Sequence, residues 1–218
     1  MKKNPPIVIV DYGIGNIGSA IRAFAHFGAD VLISDKSDDI LSACAIVLPG
    51  VGSFKSGMNG LEERGLIDVV SNFASKGMPV LGICLGAQIL LSQGKEFGVH
   101  NGLGIIPGNV VDFPDLDDKE KIPHMGWNAL HRPLEDSWDN TILCSTKKGD
   151  KLYFVHSYIL QPSKKDNILS LTTYGGYEFC SSVKAGNVYG VQFHPEKSGK
   201  VGLNIIQEFI NLSKGELI

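Results

Sequence analysis

Pro79-Val80-Leu81-Gly82-Ile83-Cys84-Leu85-Gly86-Ala87-Gln88 is the stretch that decides the fold. Its first half is an apolar run that reads as a buried strand, and the residues after Cys84 read as the start of a helix. A cysteine between Gly82 and Gly86 at that junction is the Gly-x-nucleophile-x-Gly elbow, with sulfur in place of oxygen. A sharp strand-to-helix turn strains its backbone and brings the flanking chain close, so its neighbours must be small. Such a turn leaves the side chain at the carboxyl end of a sheet with a helix N-terminus aimed at it, a setting that favours thiolate. Cys84 is therefore the candidate nucleophile. Taken alone, the stretch also fits a structural cysteine beside packing glycines, and the rest of the chain decides between the two.

Upstream, Leu66, Ile67, Val69, Val70, Phe73 and Ala74 recur at helical spacing until Gly77 stops them. Before them, Ala45-Ile46-Val47-Leu48 is a buried strand that ends in Pro49-Gly50-Val51-Gly52. Two glycines at the carboxyl end of a strand let backbone N–H groups point into a cavity, as an oxyanion hole requires, although Pro-Gly also serves as a plain turn. Ser37-Asp38-Asp39 can cap a short helix into Leu41. At the start, Ile7-Val8-Ile9-Val10 has the β-branched character of a parallel strand covered on both faces. Ile17, Ala20, Ile21, Phe24 and Ala25 then mark a helix ending near Gly28, and Asp30-Val31-Leu32-Ile33-Ser34 a second strand. The class this predicts is α/β, an open and largely parallel mixed sheet with helices on both faces. In such sheets the carboxyl ends of the strands gather at one crevice, so the loops at Asp11, Gly52 and Cys84 are expected to converge.

A competing reading sits in the first loop. Gly13-x-Gly15-x-x-Gly18 after a strand, with Asp35 ending the next one, spells a dinucleotide-binding fingerprint for NAD or FAD. Against it, Asp11 and Tyr12 intervene before the first glycine, and the remaining chain is short for a separate catalytic domain.

Downstream, a glycine-rich connector (Gly102, Gly104, Gly108) leads to Val110-Val111-Asp112-Phe113, which with Leu152-Tyr153-Phe154-Val155 is expected to add shorter strands to the sheet. Residues 115–121 form a charged surface loop. Residues 168–174 and 178–184 read as strands, and Ala185-Gly186-Asn187 as a hairpin turn into Val188-Tyr189-Gly190-Val191. A helix through Val201, Leu203, Ile205, Ile206, Phe209 and Ile210 closes the chain. Between that last strand and helix lies Gln192-Phe193-His194-Pro195-Glu196-Lys197. In extended backbone His194 and Glu196 share a side while Pro195 fixes the turn. A histidine near a thiol serves as base and then acid, and a carboxylate on its other N–H fixes the tautomer and stabilises the imidazolium. Cys84, His194 and Glu196 make a triad. His26, placed in the first helix, and His100 and His131, placed in loops, lack metal-site spacing, so no metal is expected.

Composition narrows the classes further. A chain of 218 residues with 43% hydrophobic content fits one domain with a sizeable core. A formal charge of -3 and a pI near 6.1 give no basic footprint for nucleic acid or a membrane surface. Lys2 and Lys3 precede too short an apolar run for a signal peptide, and no run reaches a membrane span, so a cytoplasmic protein is expected. The four cysteines are too scattered for a disulfide framework or zinc ribbon. Glycine, 26 of 218, exceeds the usual ~7% and implies many tight turns.

With these residues assembled, the chain resembles the class I (triad) glutamine amidotransferases, whose elbow reads like Gly82-Ile83-Cys84-Leu85-Gly86-x-Gln88 and whose distal pair reads like His194-Pro195-Glu196. Within them it is similar to the glutaminase subunits of imidazole glycerol phosphate synthase, in Asp11-Tyr12-Gly13-x-Gly15-Asn16, Pro49-Gly50-Val51-Gly52, Pro123-His124-Met125-Gly126-Trp127-Asn128 and Phe154-Val155-His156-Ser157-Tyr158. The resemblance implies one amidotransferase domain over residues 1–218 and hydrolysis of L-glutamine by the triad, with no cofactor. Leu85 with Gly52 or Val51 would hold the oxyanion, and Gly50, Gln88, Ser157 and Tyr158 the glutamine. It also implies a (β/α)8-barrel cyclase as partner in a heterodimer, contacted by Asn16, Trp127 and Lys197, and it turns the glycine loop at residues 11–18 toward that partner rather than toward a dinucleotide. An N–H of the Pro49-Gly50-Val51-Gly52 segment would stay turned away until the partner binds. Ala87 where methionine is commoner, Ile159 where an aromatic is commoner, and the Pro5-Pro6 extension depart from the pattern. They touch none of the triad and leave open a paralogue feeding ammonia to another synthase, such as one amidating a sugar. A scaffold subunit without activity is a separate alternative, against which the intact triad argues.

Overall fold

The computed structural model describes residues 5–116 and 120–216, so Lys2, Lys3 and the middle of the charged loop, 117–119, lie outside the described residues. Apart from one additional helix, α3, the first half alternates as predicted: β1 (Ile7–Val10), α1 (Ile17–Ala25), β2 (Val31–Ser34), α2 (Ser37–Ser42), β3 (Ala45–Gly50), α3 (Phe54–Glu63), α4 (Ile67–Ser75), β4 (Val80–Cys84) and α5 (Leu85–Ile89). The second half is strand-rich, with β5 (Leu91–Gly94), β6 (His100–Asn101), β7 (Ile106–Asp112), β8 (His124–Ala129), β9 (Lys151–His156), β10 (Tyr158–Pro162), β11 (Ile168–Tyr174), β12 (Tyr177–Ala185) and β13 (Val188–Val191) before α6 (Gly199–Ser213).

Ten of these strands run in the order β2-β1-β3-β4-β13-β12-β10-β7-β5-β6, and β11 on β12 makes an 11-stranded sheet. The strands from β2 to β13 pair in parallel, whereas β12, β10, β7 and β11 pair antiparallel. Strands β1, β3, β4 and β13 are buried at every position because helices cover both faces, which is why they read as continuous apolar runs. Ile7 and Ile9 join Phe24, Ile206 and Phe209 on the α1 and α6 side. Their neighbours Val8 and Val10 join Phe54, Phe73, Leu85 and Ile89 on the α3 to α5 side. That division is the period of two in an extended chain.

Four features differ from the sequence expectation. Helix α3 was hidden by Gly57 and Gly60 in its interior, which weaken any helical reading. Both are there for close approach: Gly60 lies against the Tyr12 carbonyl and Gly57 against Leu85 and Ile89, and Ser53 caps the helix by accepting from the Ser56 N–H at 3.2 Å. The β5–β6 hairpin replaces a plain connector and takes His100 out of a loop, and His26 caps the end of α1 rather than lying within it. Most consequential, residues 151–156 do not extend the large sheet. They pair with β8 in a separate two-stranded sheet, with Trp127 opposite Tyr153 and His124 opposite His156.

That small sheet carries a buried histidine pair. His124 Nδ1 lies 3.0 Å from His156 Nε2, and His156 Nδ1 lies 2.8 Å from the Tyr158 carbonyl. A carbonyl only accepts, so His156 donates from Nδ1 and its Nε2 accepts from His124. The His124 ring stacks on Phe154 and Tyr174. Burial pushes His124 down to about 4. Burial, with smaller opposing and reinforcing effects from the Tyr158 carbonyl, His124 and His194, pushes His156 down to about 3. Both are neutral in the folded protein at pH 7.

Two outcomes are expected from this packing. A Cβ at Gly86 would collide with the Leu48 carbonyl, a backbone atom that cannot swing aside, so Gly86→Ala should lower the unfolding free energy by about 3 kcal/mol, read by urea denaturation. The histidine pair has folded values below the unfolded ~6.5, so its contribution is present above pH 6.5 and is lost as pH falls toward 4. His124→Gln, which keeps a donor but does not titrate, should flatten the fall in urea midpoint between pH 7 and 4.5; an unchanged fall would contradict this.

Candidate active site

Strands β3, β4 and β13 are neighbours, so the loops at their carboxyl ends lie together at one edge of the parallel half. Gly50 ends β3 directly beside Cys84 at the end of β4, and His194 comes just after β13. Cys84 has φ 54° and ψ -108°, a left-handed backbone that costs a non-glycine residue on the order of 1–3 kcal/mol. Glycines make room for it. A Cβ on Gly82 would meet the Gly86 carbonyl oxygen at 2.5 Å, and one on Gly50 would meet Tyr12 Oη at 2.6 Å and Leu85 Cβ at 2.8 Å. Tyr12, fully buried, donates its hydroxyl to the Pro49 carbonyl. Burial, and then the charge of Cys84, raise its pKa far beyond the usual range, so it remains a donor and ties the first loop to the end of β3.

The Cys84 sulfur lies 3.8 Å from the Val155 carbonyl and 3.7 Å from Gln192 Nε2. His194, 2% exposed, donates from Nδ1 to Glu196 Oε1 at 2.8 Å, which leaves Nε2 for the sulfur. Burial works to lower the His194 pKa, but hydrogen bonding to Cys84 and Glu196 and the charges of both overcome it and hold the imidazole up at about 9. Nε2 is buried and makes no hydrogen bond of full geometry, yet Cys84 acts on the ring; catalytic hydrogen bonds are often loose before substrate tightens a site. The histidine loop is pinned to β9: His194 N–H donates to the Tyr153 carbonyl, the Ser198 hydroxyl to the His194 carbonyl, and Tyr153 N–H to Ser198 Oγ.

A cavity of about 330 Å³ opens at the sulfur, lined by Val51, Gly52, Leu85, Gln88, Glu96, Pro123 and residues 155–158. Its size suits a single amino acid. Larger hollows, of about 380, 790 and 890 Å³, lie away from the elbow and contain neither Cys84 nor His194.

Most residues singled out in the sequence meet here. Cys84, Leu85, Val51, Gly52, Gln88, Ser157 and Tyr158 all line the cavity. Gly50 does not; it sits behind the elbow on a narrow crevice shared with Asn16, His194 and Glu196. Asn16 accepts the Ser19 N–H at 3.3 Å as the cap of α1. Trp127, 54% exposed, packs edge-on to Tyr153, and Lys197 Nζ lies 6.0 Å over the same ring. The glycines of the dinucleotide pattern serve packing within the chain: Gly15 lies against the Pro49 carbonyl, an acceptor that repels a phosphate, and Gly13 lies beside the Arg64 guanidinium. Among the described residues no cluster of histidine, cysteine or carboxylate groups could hold a metal ion, and no helix is long and apolar enough to cross a membrane.

Three participants were not deduced from sequence. Glu96 reaches the cavity from the turn of the β5–β6 hairpin, its Oε2 accepting the Phe54 N–H at 2.6 Å; nothing in Lys95-Glu96 signals this. The His124–His156 contact depends on a strand register invisible in the chain. Gln192 stood inside a quoted motif, and its only signal was a polar residue ending an apolar strand.

Comparison with known proteins agrees with this geometry. Residues 8–212 match the family Glutamine amidotransferase class-I. A protein of Legionella pneumophila (strain Lens) named imidazole glycerol phosphate synthase subunit HisH 1 is 46% identical over 210 residues, covering 94% of this chain and 99% of that protein. The HisH subunit of Moorella thermoacetica is 39% identical, covering 98% of this chain and 95% of its own. A solved structure described as PurLQS from Thermotoga maritima superposes with TM-score 0.70 at 21% identity, covering 96% of this chain and 99% of that one, a likeness of fold. The chain belongs to the class-I glutamine amidotransferases, among the HisH subunits of imidazole glycerol phosphate synthase.

Proposed function

We propose that this chain is the glutaminase subunit of an imidazole glycerol phosphate synthase. It hydrolyses L-glutamine to glutamate and ammonia and passes the ammonia to a cyclase subunit, which forms imidazole glycerol phosphate and AICAR in histidine biosynthesis. The observation that carries the reading is the Cys84 elbow at the mouth of an amino-acid-sized cavity, beside an imidazole that Glu196 holds from behind at 2.8 Å.

The chemistry rests on that placement. The Cys84 thiolate attacks the side-chain amide carbon, and backbone N–H groups of Leu85 and of Gly52 or Val51 receive the oxyanion. Protonated His194 gives its Nε2 proton to the departing ammonia, leaving a thioester. Neutral His194 then takes a proton from water as that water attacks the thioester; collapse of the adduct expels the Cys84 thiolate beside protonated His194, which restores the resting ion pair, and the new γ-carboxylic acid of glutamate loses its proton to solvent. Glu196 keeps the tautomer correct throughout. Glutamine is held by Gln88 and by the 157–158 backbone, and the Glu96 carboxylate complements its α-ammonium group.

Ammonia released into water is protonated and lost to synthesis, so the reading requires a partner over the mouth. Met125 and Trp127 are 61% and 54% exposed on the strand paired to Val155 and Tyr153, which places apolar surface next to the nucleophile. That surface, with Asn16 and Lys197 beside the triad, suits a cyclase of (β/α)8-barrel fold, the fold that the family likeness implies. Isolated, the chain is expected to turn over glutamine slowly, with an N–H of residues 49–52 turned out of the oxyanion position.

In the presence of cyclase and its imidazole ribotide substrate, Cys84→Ala should abolish glutamate release, and Glu196→Gln should lower kcat by about 10²-fold or more. Full turnover by either variant would refute the triad, while turnover indifferent to that cyclase would assign the ammonia to another synthase. Trp127→Ala should weaken cyclase binding about 30-fold, the loss of one aromatic anchor worth ~2 kcal/mol, measured by titration calorimetry.

A further inference from the structure

Gln192 is buried completely, and its backbone is fixed by its N–H on the Ser181 carbonyl at 2.9 Å. Both ends of its carboxamide are engaged. Oε1 lies 3.1 Å from Gln88 Nε2, and Nε2 lies 3.7 Å from the Cys84 sulfur. An amide can be placed either way round, and here the Tyr158 carbonyl decides. It can only accept, it lies 3.5 Å from Gln88 Nε2, and it is already oriented by the His156 Nδ1–H at 2.8 Å. The Gln88 NH2 group therefore faces both the Tyr158 carbonyl and Gln192 Oε1, and the Gln192 NH2 group is left for the sulfur.

The sulfur has one acceptor beside it, the Val155 carbonyl at 3.8 Å, which a thiol can use and a thiolate cannot. The Gln192 N–H has the opposite preference: a hydrogen bond to an ionised acceptor is roughly twice as strong as one to a neutral acceptor. Resting on the assignment of Cys84 as nucleophile, we infer that Gln192 is a further catalytic residue, whose carboxamide, aligned by Gln88, donates to the Cys84 sulfur and holds it as thiolate until it attacks. The same contact ties the nucleophile to the substrate pocket. Glutamine that engages Gln88 presses on the group that aims the sulfur, so binding and nucleophile orientation are mechanically linked.

The test is the pH dependence of Cys84 alkylation by iodoacetamide in the intact chain, followed by peptide mass spectrometry, in the native protein, Gln192→Met and Gln192→Glu. Both replacements keep the length of the buried side chain. The methionine removes the donor, and the carboxylate adds a charge that opposes thiolate. The expected order of alkylation midpoints is native, then Q192M, then Q192E, with Q192M about one pH unit above native and about tenfold slower to alkylate at neutral pH. With cyclase present, kcat of Q192M should fall about tenfold while KM for glutamine stays within about threefold. Should Q192M fail to fold, Q192E reads the same midpoint. Folded variants with native midpoints overturn the role of Gln192, as does a loss confined to KM. If Cys84 of the native chain is not alkylated, or Cys84→Ala retains turnover, it is the triad assignment that fails.

Discussion

Everything at this site depends on a single strained backbone conformation, the left-handed turn at Cys84. A helix leaving a buried strand at that angle must pass within contact of both its own strand and the next one. Gly82 against the Gly86 carbonyl, Gly86 against the Leu48 carbonyl, and Gly50 against Tyr12 and Leu85 are the three contacts that make room for it. None of these glycines is there for flexibility; each occupies a position where a methyl group would strike another residue, and at Gly82 and Gly86 that residue is backbone. The burial of β1, β3, β4 and β13 supplies the rigidity that holds the turn in place.

Electrostatics does the remaining work, and it does so by burial. A histidine as enclosed as His194 would ordinarily stay neutral. It is held protonated because the hydrogen bond and charge of Cys84 on one side and of the Glu196 carboxylate on the other supply what water no longer does. In the neighbouring small sheet, His124 and His156 are also buried but face aromatic rings, a carbonyl and each other, and they remain neutral. Two histidine settings within one small region thus differ in charge because of their partners rather than their depth.

The parallel half of the fold was legible because its central strands are continuous apolar runs rich in β-branched residues and most of its helices show an apolar stripe. The grouping of Cys84, His194 and Glu196 was legible because these residues sit in short motifs: two glycines around Cys84, a proline between His194 and Glu196. The features that escaped are set by register and distance. Residues 151–156 alternate like any sheet strand, and nothing local says that their partner is β8 instead of the main sheet. Glu96 enters the cavity from a hairpin whose turn looks like a surface loop. Gly57 and Gly60 concealed α3 because packing against Tyr12 and Leu85 overrode their poor helix propensity. The glycine loop at residues 13–18 shows the converse, a pattern with the right spacing whose glycines pack against Arg64 and Pro49.

In the proposed reaction the strained Cys84, and no other thiol, bonds to glutamine. Cys44 and Cys180 are packed against the core away from the cavity, and Cys144 lies in a different hollow. The most direct measurement is peptide mapping after exposure to a glutamine analogue whose amide is replaced by an electrophilic ketone carbon, with and without competing glutamine. One covalent label is expected, on Cys84, suppressed by glutamine. A label on Cys44, Cys144 or Cys180, or labelling of Cys84 that glutamine does not suppress, would contradict it.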